Sequence, residues 1–263
     1  AVCAGCPRPM LRPPPSRPRV TGWFQAWTAR TGWCNRHLVK RAKEGFSPLV
    51  FLIPRSYLAL TVLAYADVWR APFERYVGSI PDALQSIWFL SWTAYALQHH
   101  GSLLVSDALN APQGVDLTWN TAMPLLGVLV APITVTLGPI LAYNVLATAA
   151  VGISAWTGYV AINHFVNNRL ASWLGGGLFG FSPYIMAQSL GHLDLILMFY
   201  PPLAMVLFDE IAIRQRKDWR LVGLALGLLT AAQLLIFEEI VVGVAIAVSI
   251  SLVVASLMWR SQL

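Results

Sequence analysis

Charged side chains are scarce in this sequence: 11% of its 263 residues are Asp, Glu, Lys or Arg, where an ordinary soluble domain has about a quarter. Cations are missing altogether between Arg75 and Arg169. A surface facing water does not stay bare of Lys and Arg for that length, so a chain packed around a soluble core is the wrong class. Also missing are a Ser/His/Asp nucleophile elbow, a His-Glu-x-x-His metal motif and a dinucleotide-binding glycine motif, which leaves a soluble hydrolase or dehydrogenase without support. No internal repeat is present, so an inverted-repeat transporter gets no direct support either. What fills the sequence instead is apolar: 57% of residues are hydrophobic and mean hydropathy is +0.60. Lipid is the expected solvent.

The charge that exists is unevenly placed. Of 18 Lys and Arg residues, ten lie at or before Arg55. The resulting pI near 9.5 suits the anionic cytoplasmic leaflet, and nucleic acid is not an expected partner. Cysteine is confined to Cys3, Cys6 and Cys34. Cys3-x2-Cys6 with Cys34-x2-His37 has zinc-ligand spacing. The plainer reading is a Pro/Arg-rich segment, 1–46, without hydrophobic periodicity, disordered and cytoplasmic. It has no uninterrupted apolar stretch and so is not a secretory signal. The sequence opens on Ala1, which suggests a fragment or a mis-assigned start.

Residues 47–263 form the membrane domain. Apolar stretches of spanning or near-spanning length run approximately over 49–69, 122–141, 142–162, 170–189, 195–212, 221–237 and 240–258. The first contains Pro54 and Arg55, and the long Arg55 stem can snorkel toward the cytoplasmic side. The positive-inside rule tests whether 122–141 crosses. If every stretch crosses, the loop with Arg214, Arg216, Lys217 and Arg220 falls outside. If 122–138 lies on the outer surface, that loop, Arg169 and Arg260 all fall inside with the basic N-terminus. Pro124, Pro132 and the Gly138-Pro139 turn favour the second arrangement. The fold class is therefore all-α: a polytopic bundle of about six spans with a long extracytoplasmic first loop carrying interfacial helices. Glu74, Asp82, Asp107, Asp116, Asp194, Glu238 and Glu239 then lie on one side, seven of the twelve carboxylates, together with His99, His100 and His192. Gly176/Gly180 and Gly223/Gly227 have the spacing of close helix contacts. Gly175-Gly176-Gly177 reads as packing surface, having no Lys or Ser/Thr at phosphate-loop spacing.

Asp82 is the leading candidate for chemistry. It opens a helix-like run in which Asp82, Gln85, Ser86 and Thr93 share one face at about 100° per residue. Leu84, Trp88, Trp92 and Tyr95 cover the others, and such aromatics suit a membrane interface. The plainer reading of Asp82 is a helix cap after Pro81. His192 and Asp194 form a polar turn between spans. Glu238 and Glu239 end a span after Gln233, where carboxylates are costly in lipid; ligation, substrate contact and an interfacial turn are all open. Asp116, Trp119 and Asn120 belong to a Pro112–Pro124 loop able to line an outer site. His99-His100 reads as a polar helix end.

The order of several short motifs resembles the bacterial membrane glycosyltransferases of the GT-C superfamily, in particular uncharacterised actinobacterial-type members. These motifs are Pro81-Asp82-Ala83-Leu84-Gln85 with Trp88-Phe89-Leu90 and Trp92, Ala111-Pro112-Gln113-Gly114-Val115, Trp119-Asn120, and Met123-Pro124-Leu125-Leu126. Gly138-Pro139 with Ala142-Tyr143-Asn144, Phe181-Ser182-Pro183-Tyr184 and Gly191-His192-Leu193 complete the series, over roughly 60–245. The resemblance implies a GT-C-like arrangement in the bacterial plasma membrane and a polyprenyl-phosphate sugar donor. It also implies a glycan, lipid or protein acceptor, and Asp82 as general base. Gln85, Asn120, His192, Asp194, Glu238 and Glu239 are the expected substrate-binding residues. A second acid in such enzymes often supports a divalent cation, Mg or Mn, or the acceptor; Asp194 or Glu238/Glu239 stands at that place. Many relatives carry an acid beside the loop aspartate, where this chain has Pro81 and Ala83. Relatives usually have further spans, so a C-terminally truncated enzyme is expected. The alternatives are a non-enzymatic transporter or lipid-translocating protein, which needs charges along a path through the spans, and a structural membrane scaffold.

Overall fold

The computed structural model describes residues 49–79 and 81–260, all within one compact unit, Phe46–Leu263. The expectations for 1–46, including the Cys3/Cys6/Cys34/His37 set, fall outside the described residues. The described chain is mostly helical. Its helices are α1 Leu49–Ala64, α2 Ala66–Trp69, α3 Asp82–Gln98, α4 Pro124–Leu137, α5 Pro139–Val166, α6 Arg169–Gly180, α7 Pro183–Gln188, α8 Leu193–Ile196, α9 Tyr200–Asp209, α10 Trp219–Leu234 and α11 Glu238–Arg260. Between α3 and α4 a small antiparallel hairpin, β1 Val105–Ser106 and β2 Val115–Asp116, pairs Val105 with Asp116 and Ser106 with Val115.

Helix boundaries follow local chemistry. Pro124, Pro139 and Pro183 stand in the first turns of α4, α5 and α7, where a missing N–H removes no intrahelical bond. Gly138, at φ +95°, makes the turn between α4 and α5 that a side chain would strain. Asn167 closes α5 in the left-handed region, and Asn168 then caps α6 by accepting the Ala171 N–H at 3.0 Å. Asp218 caps α10 in the same way through Arg220.

Three helices are long and apolar enough to cross a membrane: Pro139–Val166, Leu193–Arg214 and Glu238–Met258. Phe51–Ala64, Pro124–Leu137 and Trp219–Leu234 are apolar but shorter. Several expected stretches are broken, 195–212 among them at 197–199 between α8 and α9. The 49–69 stretch ends its first helix at Ala64, and Ser182-Pro183 divides 170–189 into α6 and α7, because the proline cannot supply an interior N–H.

The core is built on α5, which packs against α1, α3, α4, α6 and α9. Its buried polar side chains act as staples. The Ser154 hydroxyl donates to the Ile196 carbonyl at 2.8 Å and accepts from Met198 N–H at 2.7 Å. It thereby satisfies groups freed where α8 gives way to α9. The Tyr57 hydroxyl donates to the Trp173 carbonyl at 2.6 Å while the two rings stack, tying α1 to α6.

The two glycine pairs behave differently. A Cβ at Gly176 would lie 2.6 Å from the Ala155 carbonyl oxygen, and one at Gly180 would lie 2.4 Å from the Ala155 Cβ, so this pair lets α6 ride directly on α5. Gly223 and Gly227 have nothing within 4 Å among the described residues. The close contact expected there is not made, because that face of α10 is turned away from its neighbours.

The far end of α5 carries an ionic cluster that sequence pattern does not single out. Asp209 and Glu210 are 7% and 4% exposed. His164 Nε2 lies 2.6 Å from the Asp209 carboxylate, Arg214 binds the same carboxylate and the His164 carbonyl, and Arg216 reaches Glu210 at 3.0 Å. A π-helical turn, Glu210–Arg214, brings Arg214 back over Asp209.

Gly180→Val is expected to lower thermal stability in detergent by about 1–3 kcal/mol, the usual cost of forced overpacking, whereas Gly223→Val stays within about 0.5 kcal/mol, as for surface changes. Equal effects would rule out the α5–α6 contact as drawn. Asp209→Asn should be worse, at about 3–5 kcal/mol, because it strands Arg214 and His164 in a buried place. A melting temperature unchanged from wild type would refute the cluster's structural role.

Candidate functional site

The candidate site is assembled at the Tyr143 end of α5. Asn144, fully buried, holds the segment leading into α3: its Oδ1 accepts from Val77 N–H at 3.1 Å, and its Nδ2 donates to the carbonyls of Pro72 at 2.9 Å and Arg75 at 2.7 Å. The neighbouring Tyr143 hydroxyl donates to the Val77 carbonyl at 3.0 Å. Four backbone groups of an irregular segment are thus satisfied from one turn of helix.

The next residues lock onto the turn before α8. Gly78 has φ +103°, and a Cβ there would strike the Leu190 carbonyl oxygen at 2.5 Å. Glycine is required on both grounds. Ser79 N–H donates to that carbonyl at 2.6 Å, and the Ser86 hydroxyl donates to Gly191 O at 3.3 Å. Gly191 in turn has no room for a side chain, since a Cβ would sit 2.6 Å from the Asp82 Cβ. This interlock brings together two residues 110 positions apart in sequence: Asp82 Oδ2 lies 3.6 Å from His192 Nε2.

Pro81, not Asp82, is the residue flanking α3, and the Asp82 carboxylate accepts no hydrogen bond from the first turn among the described residues. The cap reading is therefore replaced by an orientation toward His192. Both side chains keep 49% exposure. A pair so solvated contributes at most about 1 kcal/mol, and it leaves the carboxylate open to a ligand.

The other expected site residues divide into two groups. Asp194 is buried, at 6% exposure, within reach of the charges of His192, Glu239 and Glu238. Glu239 lines a cleft of about 230 Å³ with Tyr184, Leu195, Met198, Pro201 and Val244. Glu238 and Glu239 occupy the first turn of α11, where carboxylates offset the helix's unpaired N–H groups. Leu125 N–H donates to Leu235 O at 3.2 Å, which docks the α10–α11 turn against the start of α4. Gln85 and Asn120 line a second cleft, of about 260 Å³, with Trp88. The expected common face of α3 splits accordingly: Ser86 and Thr93 are buried, against Gly191 and Gly127, while Gln85 is exposed. Asp116 caps the 3₁₀ turn Leu117–Trp119 ahead of Asn120. The Thr118 hydroxyl and then its N–H hold the Asp116 carboxyl below the usual range. Trp119 is 91% exposed, as an interfacial tryptophan would be.

Tyr143, Asn144, Gly78 and Gly191 are the positioning residues that residue-by-residue chemistry passes over. An Asn within an apolar helix was the available signal. Among the described residues no group of three or more His, Cys, Asp or Glu is placed to hold a metal ion. The chain matches no protein-family model, no curated protein and no solved structure.

Asn144→Ala should cost at least about 2 kcal/mol, since each buried group left unpaired costs about 1–3 kcal/mol. Hydrogen exchange should accelerate over 72–82 and not over 200–209. Unchanged exchange in 72–82 would contradict the bracket.

Proposed function

We propose that the protein is a membrane glycosyltransferase that moves a sugar from a polyprenyl-phosphate donor to an acceptor hydroxyl on the outer face of a bacterial plasma membrane. In this reading α1, α5, α6–α7, α8–α9, α10 and α11 make six crossings in a GT-C-like arrangement. The N-terminus is cytoplasmic, and α3, the hairpin and α4 form the outer loop. Arg169, the Arg214–Arg220 cluster and Arg260 then share the cytoplasmic side. The shorter α1 and α10 are accommodated by local thinning of the bilayer.

The observation that carries the proposal is the Asp82–His192 pair, 3.6 Å apart, half-exposed and held by interlocked backbone. Asp82 is the general base. It takes the proton of the acceptor hydroxyl as that oxygen bonds to the anomeric carbon, while the bond from that carbon to the carrier phosphate breaks and its electron pair leaves with the phosphate. His192 orients the carboxylate. Gln85, Asn120, Asp194, Glu238 and Glu239 contribute to the surrounding substrate surface. Among the described residues no three His, Cys, Asp or Glu side chains converge to hold a divalent cation. No step is routed through a metal.

A transporter or lipid-translocating protein needs charges along a path between the two faces. Along α5, from Asn144 to His164, the buried polar groups Thr148, Ser154 and Thr157 are neutral, and each hydroxyl is engaged by backbone. That favours the transferase.

In reconstituted full-length protein, Asp82→Asn should reduce sugar transfer from a radiolabelled polyprenyl-phosphate donor by about 10²–10⁴-fold, the usual contribution of a positioned base, with folding intact. Wild-type transfer by this variant would overturn the assignment.

A further inference from the structure

The cleft beside Trp88 has a composition that selects its ligand. It is lined by Gln85, Trp88 and Phe89 from α3 and by Val115, Leu117 and Asn120 from the hairpin and the turn after it. No charged side chain lines it, and no Lys or Arg exists between residues 75 and 169. A phosphate or carboxylate would find no counter-charge, so the ligand is neutral. The polar groups are two amides. Gln85 makes no side-chain hydrogen bond among the described residues. Asn120 uses its Oδ1 on Thr121 N–H at 2.9 Å and keeps its Nδ2 as a donor. An amide offers donor and acceptor together, which suits hydroxyl groups that do the same.

Trp88 supplies the apolar half of such a site. Its ring stacks on Trp92 at 6.0 Å with a 9° interplanar angle, and Phe89 meets it edge-on at 5.5 Å. The face is fixed before any ligand arrives, which lowers the ordering cost of binding. A flat C–H face against an aromatic ring, with amides at the rim, is the chemistry that recognises a sugar ring. At about 260 Å³ the cleft is smaller than the roughly 300–1,000 Å³ of sites for drug-sized ligands. It has room for one ring. Gln85 stands three residues after Asp82, about one helical turn or ~5 Å along the axis.

We propose that the Gln85–Trp88–Asn120 cleft binds one neutral sugar residue of the acceptor and presents its hydroxyl to Asp82, so that the acceptor is a glycan or glycolipid. This rests on the transferase reading and narrows its acceptor. The Trp88 face carries the C–H side of the ring, and the Gln85 and Asn120 amides fix its hydroxyls. The donor's own sugar shares the same chemistry, and the test separates the two sources.

The full chain in lipid nanodiscs is labelled with 5-fluorotryptophan, and the Trp88 resonance is assigned by its loss in Trp88→Phe. Methyl glycosides of mannose, glucose, galactose and arabinose are titrated, with glycerol as the control polyol. At least one glycoside is expected to shift the Trp88 signal saturably while glycerol does not. Gln85→Ala and Asn120→Ala should each weaken that binding about tenfold, as loss of one hydrogen bond would. A polyprenyl-phosphate mannose added at saturation should leave the shift in place. Absence of any saturable shift, an equal shift by glycerol, or unchanged affinity in both amide variants would overturn the site. Displacement by the donor would overturn its assignment to the acceptor. Asp82→Asn should keep the shift while losing transfer. If it keeps both, the transferase reading falls while the sugar site stands; if it loses transfer and no wild-type shift exists, the reverse holds.

Discussion

The Asn144 side chain is the constraint on which the rest depends. Its amide, fully buried within an apolar helix, would be expensive if unpaired; here it spends both ends on the backbone of residues 72–77. That segment is irregular, and four of its backbone groups find their partners in the Tyr143 and Asn144 side chains of α5. The two needs are met together, and the direction in which the chain enters α3 is fixed by them. Everything that follows, from Gly78 against Leu190 to Asp82 against His192, inherits that direction.

A second set of polar side chains closes the opposite end of α5. There the groups are charged, and His164, Asp209 and Arg214 neutralise one another where a single charge would be costly. The two ends differ in kind. Near Tyr143 a neutral amide holds backbone and leaves Asp82 and His192 half in solvent; near His164 the charges consume each other. A carboxylate free to act on a ligand exists at one end alone among these two clusters.

Much of the helical framework was legible in composition and hydropathy. Apolar runs marked where helices lie, and Gly138-Pro139 was legible as a turn between two of them because its effect is local and does not depend on what packs nearby, whereas the break at Pro183 within 170–189 was not read. Candidate chemistry at Asp82 and His192 was legible as residue types, but their approach was not, since it depends on backbone contacts spanning more than a hundred residues. The Gly223/Gly227 spacing misled for the complementary reason: a small-residue motif reports that a helix can be approached, not that it is. Asp209 and Glu210 went unremarked because their partners come from the next turn and from α5, and neither is visible along the sequence. The split of Gln85 and Asn120 from Glu239 into separate clefts was equally a matter of packing.

The length of α5 between its two polar ends has a consequence for the kind of membrane that suits it. From Asn144 to His164 is twenty residues, which at about 1.5 Å each gives about 30 Å, the thickness of a typical hydrocarbon core. The amide bracket and the ionic cluster are therefore spaced to meet the headgroups on either side. A thicker bilayer would draw one of them into hydrocarbon, and a thinner one would tilt the helix. In the proposed topology either change would move Asp82 relative to the surface, so lipid chain length would become a control on the height at which this carboxylate stands.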